Sequence, residues 1–150
     1  MTIDTSLTIV APPERVLEAF FDADALAAWW QATRSVCQPR PLGTWAVSWD
    51  TTSWSDPVLG RLGGALHGTV MEYKAGRELF VADTYWTPPD GAPIGPMALE
   101  ITCSKNRWGT ELHVRQSGFE DEPRWRRYYE VTGPGWKQAL ASLKNWLEQQ

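Results

Sequence analysis

The side chains most often used in catalysis are sparse in this sequence. His67 and His113 are its only histidines, and neither has a second metal ligand at the spacing of an HxxxH pair. No GxSxG segment is present to hold a serine nucleophile. Residues 60–64 are rich in glycine, but they precede a predicted strand and lack the helix N-terminus that binds phosphate. The sequence therefore predicts no metal and no cofactor, and it leaves proton transfer as the chemistry to consider.

Carboxyl and phenol side chains on two predicted strands are the candidates for proton transfer. If Leu79 faces the core, strand alternation turns Asp83 and Tyr85 toward it as well. The same rule turns Glu72 inward on the preceding strand. Burial raises the pKa of a carboxyl group toward neutrality, where the group can act as a general acid or base. Asp83 is better explained as the partner of a neighbouring side chain or as a solvated strand end, and its contact with a ligand stays open.

Tryptophan is the unusual component of this sequence. Ten Trp accompany only 4 Tyr and 4 Phe, and each large ring buries on the order of 150–250 Å². Such rings either fill a core or line a cavity. An apolar lining with a few polar groups is typical of pockets for small molecules. The predicted ligand-binding residues are Trp45, Trp49, Trp54, Asp83, Tyr85, Gln116 and Trp136.

Charge and composition narrow the classes of partner. The net charge of −4 disfavours nucleic acid, which requires a clustered positive field. The basic, aromatic run at residues 124–129 directly follows acidic residues 120–122 and reads as a solvated helix face. Cys37 and Cys103 form no CxxC pair and are expected to be free thiols. The sequence has no leader-like N-terminus and no run of about 18 apolar residues, so a cytoplasmic protein without membrane contact is expected.

Hydrophobic periodicity predicts one α+β domain over residues 1–150. Alternation over residues 2–10 predicts a strand, which Pro12 and Pro13 end. A short helix follows at these prolines, and a second is predicted from Asp24, as N-cap, to Trp30. Alternation then predicts a meander of antiparallel strands, with residues 50–64 as a loop, at about 45–49, 65–74, 78–86, 97–104 and 110–117.

The last part of the chain has helical periodicity. Apolar residues recur at spacings of four, three and four from Trp136 to Leu147, which predicts an amphipathic C-terminal helix. A helix also starts near Pro123, and residues 133–135 (Gly-Pro-Gly) are expected to break or sharply kink it. One long helix must then cover a whole sheet, which belongs to the layered α+β class. A pocket is expected between the sheet and this helix.

Four segments, in the right order, resemble one known family. Residues 11–16 followed by 29–30, then 68–72, 116–119 and 135–144, are similar to the activator of Hsp90 ATPase homologue family of the START-like (SRPBCC) superfamily. The resemblance covers nearly the whole chain. It implies the helix-grip (Bet v 1-like) fold, in which a curved antiparallel sheet wraps around a long C-terminal α-helix with two short N-terminal helices. It implies an apolar cavity but no fixed catalytic set.

Three functions are consistent with this reading. The first is binding of a hydrophobic or aromatic small molecule in the cavity between the sheet and the C-terminal helix. The second is a cyclase- or aromatase-like enzyme that uses acid–base chemistry on a polyketide-like substrate there. The third is a chaperone-associated interaction module, although the eukaryotic namesake uses an additional N-terminal domain for which this chain is expected to have no room. A homodimer is compatible with each of these functions.

Overall fold

The computed structural model describes residues 1–150 as a sheet with three helices. The helices lie before and after a meander of strands, as the periodicity predicts. In chain order the elements are β1 (Ile3–Ile9), α1 (Pro13–Glu18), α2 (Ala23–Trp30), β2 (Arg34–Cys37), β3 (Thr44–Trp49), β4 (Ser55–Asp56), β5 (Gly60–Arg61), β6 (Gly64–Lys74), β7 (Glu78–Thr87), β8 (Ile94–Asn106), β9 (Gly109–Ser117) and α3 (Pro123–Glu148).

Seven of the strands form one antiparallel sheet in the order β1-β9-β8-β7-β6-β3-β2. The first strand returns to pair with the last, so that Ile3 lies opposite Gln116. Strands β2 and β3 form a hairpin at the other end of the sheet, and β2 was not assigned from the sequence. The helix α3 packs against β1 and α2. This arrangement is the α+β helix-grip architecture that the sequence predicts.

One face of the sheet is apolar and faces α3. Alternation along β9 buries Leu112, Val114 and Gln116 completely, as predicted. Trp45 and Val47 are also fully buried on β3. Burial of these side chains fixes the register, because a slip of one residue would turn every one of them to solvent. The same face carries the sheet residues that line a cavity.

A bulge in β7 overturns the predicted orientation of Asp83 and Tyr85. The pairing with β8 shifts between Val81 and Thr84, and Asp83 has a φ of 48°. An extra residue in a strand reverses the faces of all residues beyond it. Thr84 is therefore fully buried, whereas Asp83 is exposed and Tyr85 is half-buried on the outer face.

The sequence prediction is also wrong for Glu72. A second register shift in the β6–β7 pair separates Val70 from Glu72, and Glu72 is exposed. Opposite the first bulge lies Gly68, where the two strands approach closely. A Cβ atom at Gly68 would lie 2.6 Å from the Ala82 carbonyl oxygen and from a Val81 methyl group. Only glycine leaves room for the bulged backbone at this position.

The helix α2 begins two residues earlier than its predicted cap implies. Asp22, and not Asp24, is the N-cap, and its carboxylate accepts a hydrogen bond of 2.9 Å from the Ala25 amide. Asp24 lies in the first turn, where its negative charge favours the positive end of the helix dipole. Both aspartates suit a helix start, so the sequence pattern alone did not separate them.

The prediction for residues 133–135 was a break or a sharp kink, and the break is wrong because α3 is continuous from Pro123 to Glu148. Pro134 lacks an amide and leaves the Glu130 carbonyl without its helical donor. Pro134 and Glu130 are both exposed, so water can satisfy that carbonyl. Buried anchors on both sides of the proline, such as Tyr128 and Trp136, hold the two halves on the sheet. Packing therefore outweighs the local preference.

Both cysteines are free, as the sequence predicts. Burial raises the pKa of the Cys37 thiol to about 11, against a smaller opposing effect of a hydrogen bond with the Ala46 backbone. Burial also raises the pKa of Cys103 to about 12, with a further contribution from Glu14. Both thiols are therefore protonated and weakly nucleophilic near neutral pH. No helix is long and apolar enough to cross a membrane.

Candidate functional site

An apolar cavity of about 360 Å³ lies between the inner face of the sheet and α3. The loop at residues 50–63, which contains β4 and β5, forms part of its wall. Nine of its 15 lining residues are hydrophobic, and four of these are tryptophans. The volume falls within the usual range of about 300–1,000 Å³ for small-molecule pockets.

Three tryptophans form one wall of the cavity. The Trp30 ring lies 4.9 Å from that of Trp49 and 5.1 Å from that of Trp136, measured between ring centroids. The Trp49 indole donates to the Trp30 carbonyl at 2.8 Å. Behind this wall, Trp29 stacks on Trp30 with a centroid distance of 4.8 Å. Rings locked in this way offer a preformed apolar surface to a ligand.

A second wall is a stacked pair from β7 and α3. The rings of Trp86 and Tyr128 are nearly parallel, with centroids 5.2 Å apart. The Trp86 indole donates to the Gly63 carbonyl at 2.9 Å, which joins β7 to the end of the loop. The two walls together leave a space bounded by flat aromatic rings.

A small polar cluster lies at one end of the cavity. Gln116 is fully buried, and its side-chain carbonyl accepts a hydrogen bond of 2.8 Å from the Trp136 indole. Because an indole N–H only donates, this bond fixes which end of the amide carries oxygen. The Gln116 amide nitrogen then donates to the Tyr128 hydroxyl at 3.2 Å and to the Met97 sulfur at 3.3 Å.

The Tyr128 hydroxyl is the titratable group closest to this polar end. Burial raises the pKa of Tyr128 above its usual value, and hydrogen bonds from Gln116 and Thr132 offset only part of that increase. Thr132 lies one helical turn further along α3 and also lines the cavity. Tyr128 is therefore a neutral phenol at physiological pH, able to donate a hydrogen bond.

A buried ion pair fastens the loop to α3. The Asp56 side chain is fully buried, and one of its carboxylate oxygens accepts hydrogen bonds of 2.8 and 2.6 Å from the Arg127 guanidinium. The other oxygen accepts bonds of 3.0 Å from the amides of Val58 and Leu59. We call this arrangement the Asp56 latch. Leu59, which it positions, is buried and lines the cavity.

The Arg127 guanidinium lowers the pKa of Asp56 to about 2, and the amides of Leu59 and Val58 add to this effect against the opposing effect of burial. The latch is therefore ionised at any physiological pH. A second pair, Arg61 with Asp90, joins the same loop to the β7–β8 connection at 2.8 and 2.9 Å. About half of each side chain of this second pair is exposed.

The structure brings together three of the seven predicted ligand-binding residues. Trp49, Gln116 and Trp136 line the cavity. Trp45 is fully buried beside the cavity, where its indole donates to the Phe20 carbonyl and the ring belongs to the core. Trp54 is 57% exposed on the loop.

Asp83 and Tyr85 lie outside the cavity because of the β7 bulge. Tyr85 instead stacks on His67, with ring centroids 6.0 Å apart on the outer face of the sheet. The His67 ring also shares a hydrogen bond of 2.9 Å with the Thr87 hydroxyl. The predicted inward orientation of Asp83 and Tyr85 is therefore wrong, and the buried residues of β7 beyond Val81 are Thr84 and Trp86.

Sequence reasoning missed several lining residues. Trp30 was placed at the end of the second predicted helix and in a family-like segment, and Trp86 at the end of a predicted strand, neither with a role in the cavity. Tyr128 was assigned to a solvated helix face, and Thr132 was given no role. A stripe at positions 125, 128, 132 and 136 has helical spacing and would have connected them. No group of three or more His, Cys, Asp and Glu side chains is close enough to hold a metal ion.

The fold and the cavity together define a helix-grip protein of the START-like class. Within it, the chain belongs to the family described as activator of Hsp90 ATPase homolog 1-like protein, whose model matches residues 10–148. The family predicted from the four sequence segments is therefore confirmed. A search of curated protein sequences finds no significant match.

Solved structures share the same architecture. Protein MLL2253 from Mesorhizobium loti has a TM-score of 0.76 at 22% identity, and the match covers 100% of this chain and 98% of that chain. Protein CV1439 from Chromobacterium violaceum has a TM-score of 0.69 at 25% identity, covering 99% and 98%. The Aha1 dimer from Colwellia psychrerythraea has a TM-score of 0.69 at 16% identity, covering 99% and 96%. These likenesses confirm the predicted fold class.

Proposed function

We propose that this protein binds a flat, apolar, aromatic small molecule in the cavity between the sheet and α3. The observation that carries the proposal is the pair of aromatic walls, one of Trp30, Trp49 and Trp136 and the other of Trp86 and Tyr128. Planar rings gain most from contact with planar rings, by offset stacking and edge-to-face contact. A simple aliphatic chain would use the same apolar area but not this geometry.

The tryptophans also explain why the space is not filled. Each ring of the two walls is held by packing or by a hydrogen bond to the backbone, as for Trp49 and Trp86. Rigid rings do not collapse into a void as flexible side chains would. The cavity therefore persists as a preformed site, and the ligand loses less affinity to ordering the protein.

A thermal-shift screen against apolar and aromatic metabolites tests this function. A ligand at 100 times its dissociation constant should add about 2.7 kcal/mol to the free energy of unfolding. For a domain of this length, that corresponds to a rise in melting temperature of about 5–11 °C. Aromatic compounds should give the largest shifts. Unchanged melting curves across the whole panel would contradict the proposal.

Gly135 offers a variant that adds a large side chain at the lining of the cavity without overlap in the protein. Gly135 lines the cavity from α3, and a Cβ atom there would meet no other atom within 4 Å. Gly135→Leu should abolish ligand-induced stabilisation. It should also raise the melting temperature of the free protein slightly, because glycine inside a helix costs about 0.5–1 kcal/mol. Gln138→Leu, at an exposed position of the same helix that does not line the cavity, is the matched control and should leave ligand binding unchanged.

The other functions considered from the sequence receive less support. Three residues were suggested for proton transfer, and Glu72, Asp83 and Tyr85 all lie outside the cavity. The only titratable groups of the cavity lining are Asp50 and Tyr128. The only support for a homodimer, or for an interaction module, is that the relative from Colwellia psychrerythraea is described as a dimer. Sedimentation of the purified protein would determine whether this chain also dimerises. A single domain and a cytoplasmic location stay predictions.

A further inference from the structure

We propose that the ligand is a neutral aromatic molecule with one hydrogen-bond acceptor, such as an aryl ketone, and that the Tyr128 hydroxyl selects it by donating to that acceptor. This inference rests on the proposed function, since it concerns the same cavity.

The donors of Gln116 and Trp136 are already used within the protein. The Trp136 indole donates to the Gln116 carbonyl, and the Gln116 amide donates to Met97 and to Tyr128. Gln116 is therefore held in one orientation, and both hydrogens of its side-chain amide are already bonded within the protein. The indoles of Trp49 and Trp86 are likewise used on backbone carbonyls.

Tyr128 differs because its oxygen already accepts a bond. The Gln116 amide donates to that oxygen, so the Tyr128 proton must point elsewhere. The ring stacks on Trp86, and Tyr128 lines the cavity, so its hydroxyl lies within reach of a bound ligand. Thr132 also lines the cavity, one helical turn along α3, and its hydroxyl can rotate to accept the Tyr128 proton when no ligand is bound. A ligand carbonyl can replace Thr132 as the acceptor of the Tyr128 proton.

The charges around the cavity favour a neutral ligand. Asp50 is the one charged residue of the lining, and the lining contains no Lys, Arg or His. A carboxylate ligand would lose its hydration without gaining an opposite charge. A neutral ketone or ester oxygen loses much less on burial and recovers a hydrogen bond from Tyr128.

Three naphthalene derivatives of nearly the same shape test the proposal by tryptophan fluorescence titration. Acetylnaphthalene carries a ketone oxygen as the acceptor. Isopropenylnaphthalene has a methylene carbon in place of that oxygen, and naphthoate carries a charged carboxylate. Wild-type protein should bind the ketone about 3–10 times more tightly than the hydrocarbon, the value of one ordinary hydrogen bond. Naphthoate should bind most weakly. Equal binding of ketone and hydrocarbon, or a preference for naphthoate, would overturn the proposal.

Two variants assign the effect to one hydroxyl. Tyr128→Phe should bind the ketone and the hydrocarbon equally, while keeping its affinity for the hydrocarbon. Thr132→Val should retain the preference for the ketone, because the Tyr128 proton then has no competing acceptor. The reverse pattern would make Thr132 the donor and refute the role of Tyr128. If Tyr128→Phe does not fold, the wild-type ranking and Thr132→Val still decide the question. Failure of all three probes to bind wild-type protein would instead refute the proposed function.

Discussion

The Asp56 latch makes a prediction about stability that can be worked from its contacts. Asp56→Asn keeps the size of the side chain and an oxygen that can accept from the Val58 and Leu59 amides. It removes the negative charge and turns an amide toward Arg127, so the two bonds of 2.8 and 2.6 Å to the guanidinium are lost. The substitution therefore tests the connection between the loop and α3 with little change to the turn itself.

Hydrogen bonds to charged groups contribute about 1.5–3 kcal/mol each when they are protected from water. Arg127 is 35% exposed, so water replaces a part of what the guanidinium loses. We expect Asp56→Asn to lower the free energy of unfolding by about 2 kcal/mol. For a domain of this length, this lowers the melting temperature by about 4–8 °C.

The pH dependence of stability is a second, independent test of the contact between Asp56 and Arg127. The pKa of Asp56 is lowered from 3.8 to about 2 in the folded protein. The stabilisation is therefore complete above the unfolded value and is lost as the pH falls toward the folded value. The difference in melting temperature between wild type and Asp56→Asn should be constant above about pH 5 and should narrow below about pH 4.

The exposed pair on the same loop is the matched control. Arg61 and Asp90 form two bonds of similar length, but both side chains are about half exposed. Asp90→Asn should barely change the melting temperature, because exposed ion pairs contribute little. Scanning calorimetry of the three proteins at several pH values makes the comparison. Equal effects of the two substitutions, or a difference that does not narrow in acid, would refute the assignment of the latch.

Two further predictions concern the sheet and the thiols. Gly68→Ala should lower the free energy of unfolding by about 1–3 kcal/mol, because its methyl group would overlap the bulged strand, and chemical denaturation would measure the loss. Gly133→Ala, where a Cβ atom meets nothing within 4 Å, should show no such overlap. Cys37 and Cys103 should react slowly with iodoacetamide near neutral pH and rapidly in denaturant, as counted by mass spectrometry. Fast alkylation of the folded protein would contradict their raised pKa values.

Periodicity predicted most of the elements of this fold because most of them bury one face. The strand β9 alternates without interruption, and its inward set of Leu112, Val114 and Gln116 was predicted correctly. The prediction for β7 was wrong beyond Val81, where one extra residue reverses the alternation. A local signal of this bulge exists on the neighbouring strand, since Gly68 interrupts an otherwise regular strand.

Local signals were less informative where tertiary packing competes with them. The Gly-Pro-Gly segment at residues 133–135 favours a break, yet α3 continues because both of its halves are anchored on the sheet. The Asp56 latch was missed for a related reason. Its partner Arg127 lies 71 residues away, and nothing in the pattern of the loop distinguishes Asp56 from its polar neighbours. Contacts of this kind depend on how the elements pack.

The excess of tryptophan has one physical explanation that covers both core and cavity. Indole rings combine a large apolar face with a single donor at the edge. Trp29, Trp45 and Trp49 each use that donor on a backbone carbonyl at least 10 residues away, which ties α1, α2 and β3 together. With its edge bonded, each ring presents only its apolar faces to its surroundings. A phenylalanine at Trp49 would keep the face but lose the connection, so it would leave an aromatic wall that is no longer fixed in place.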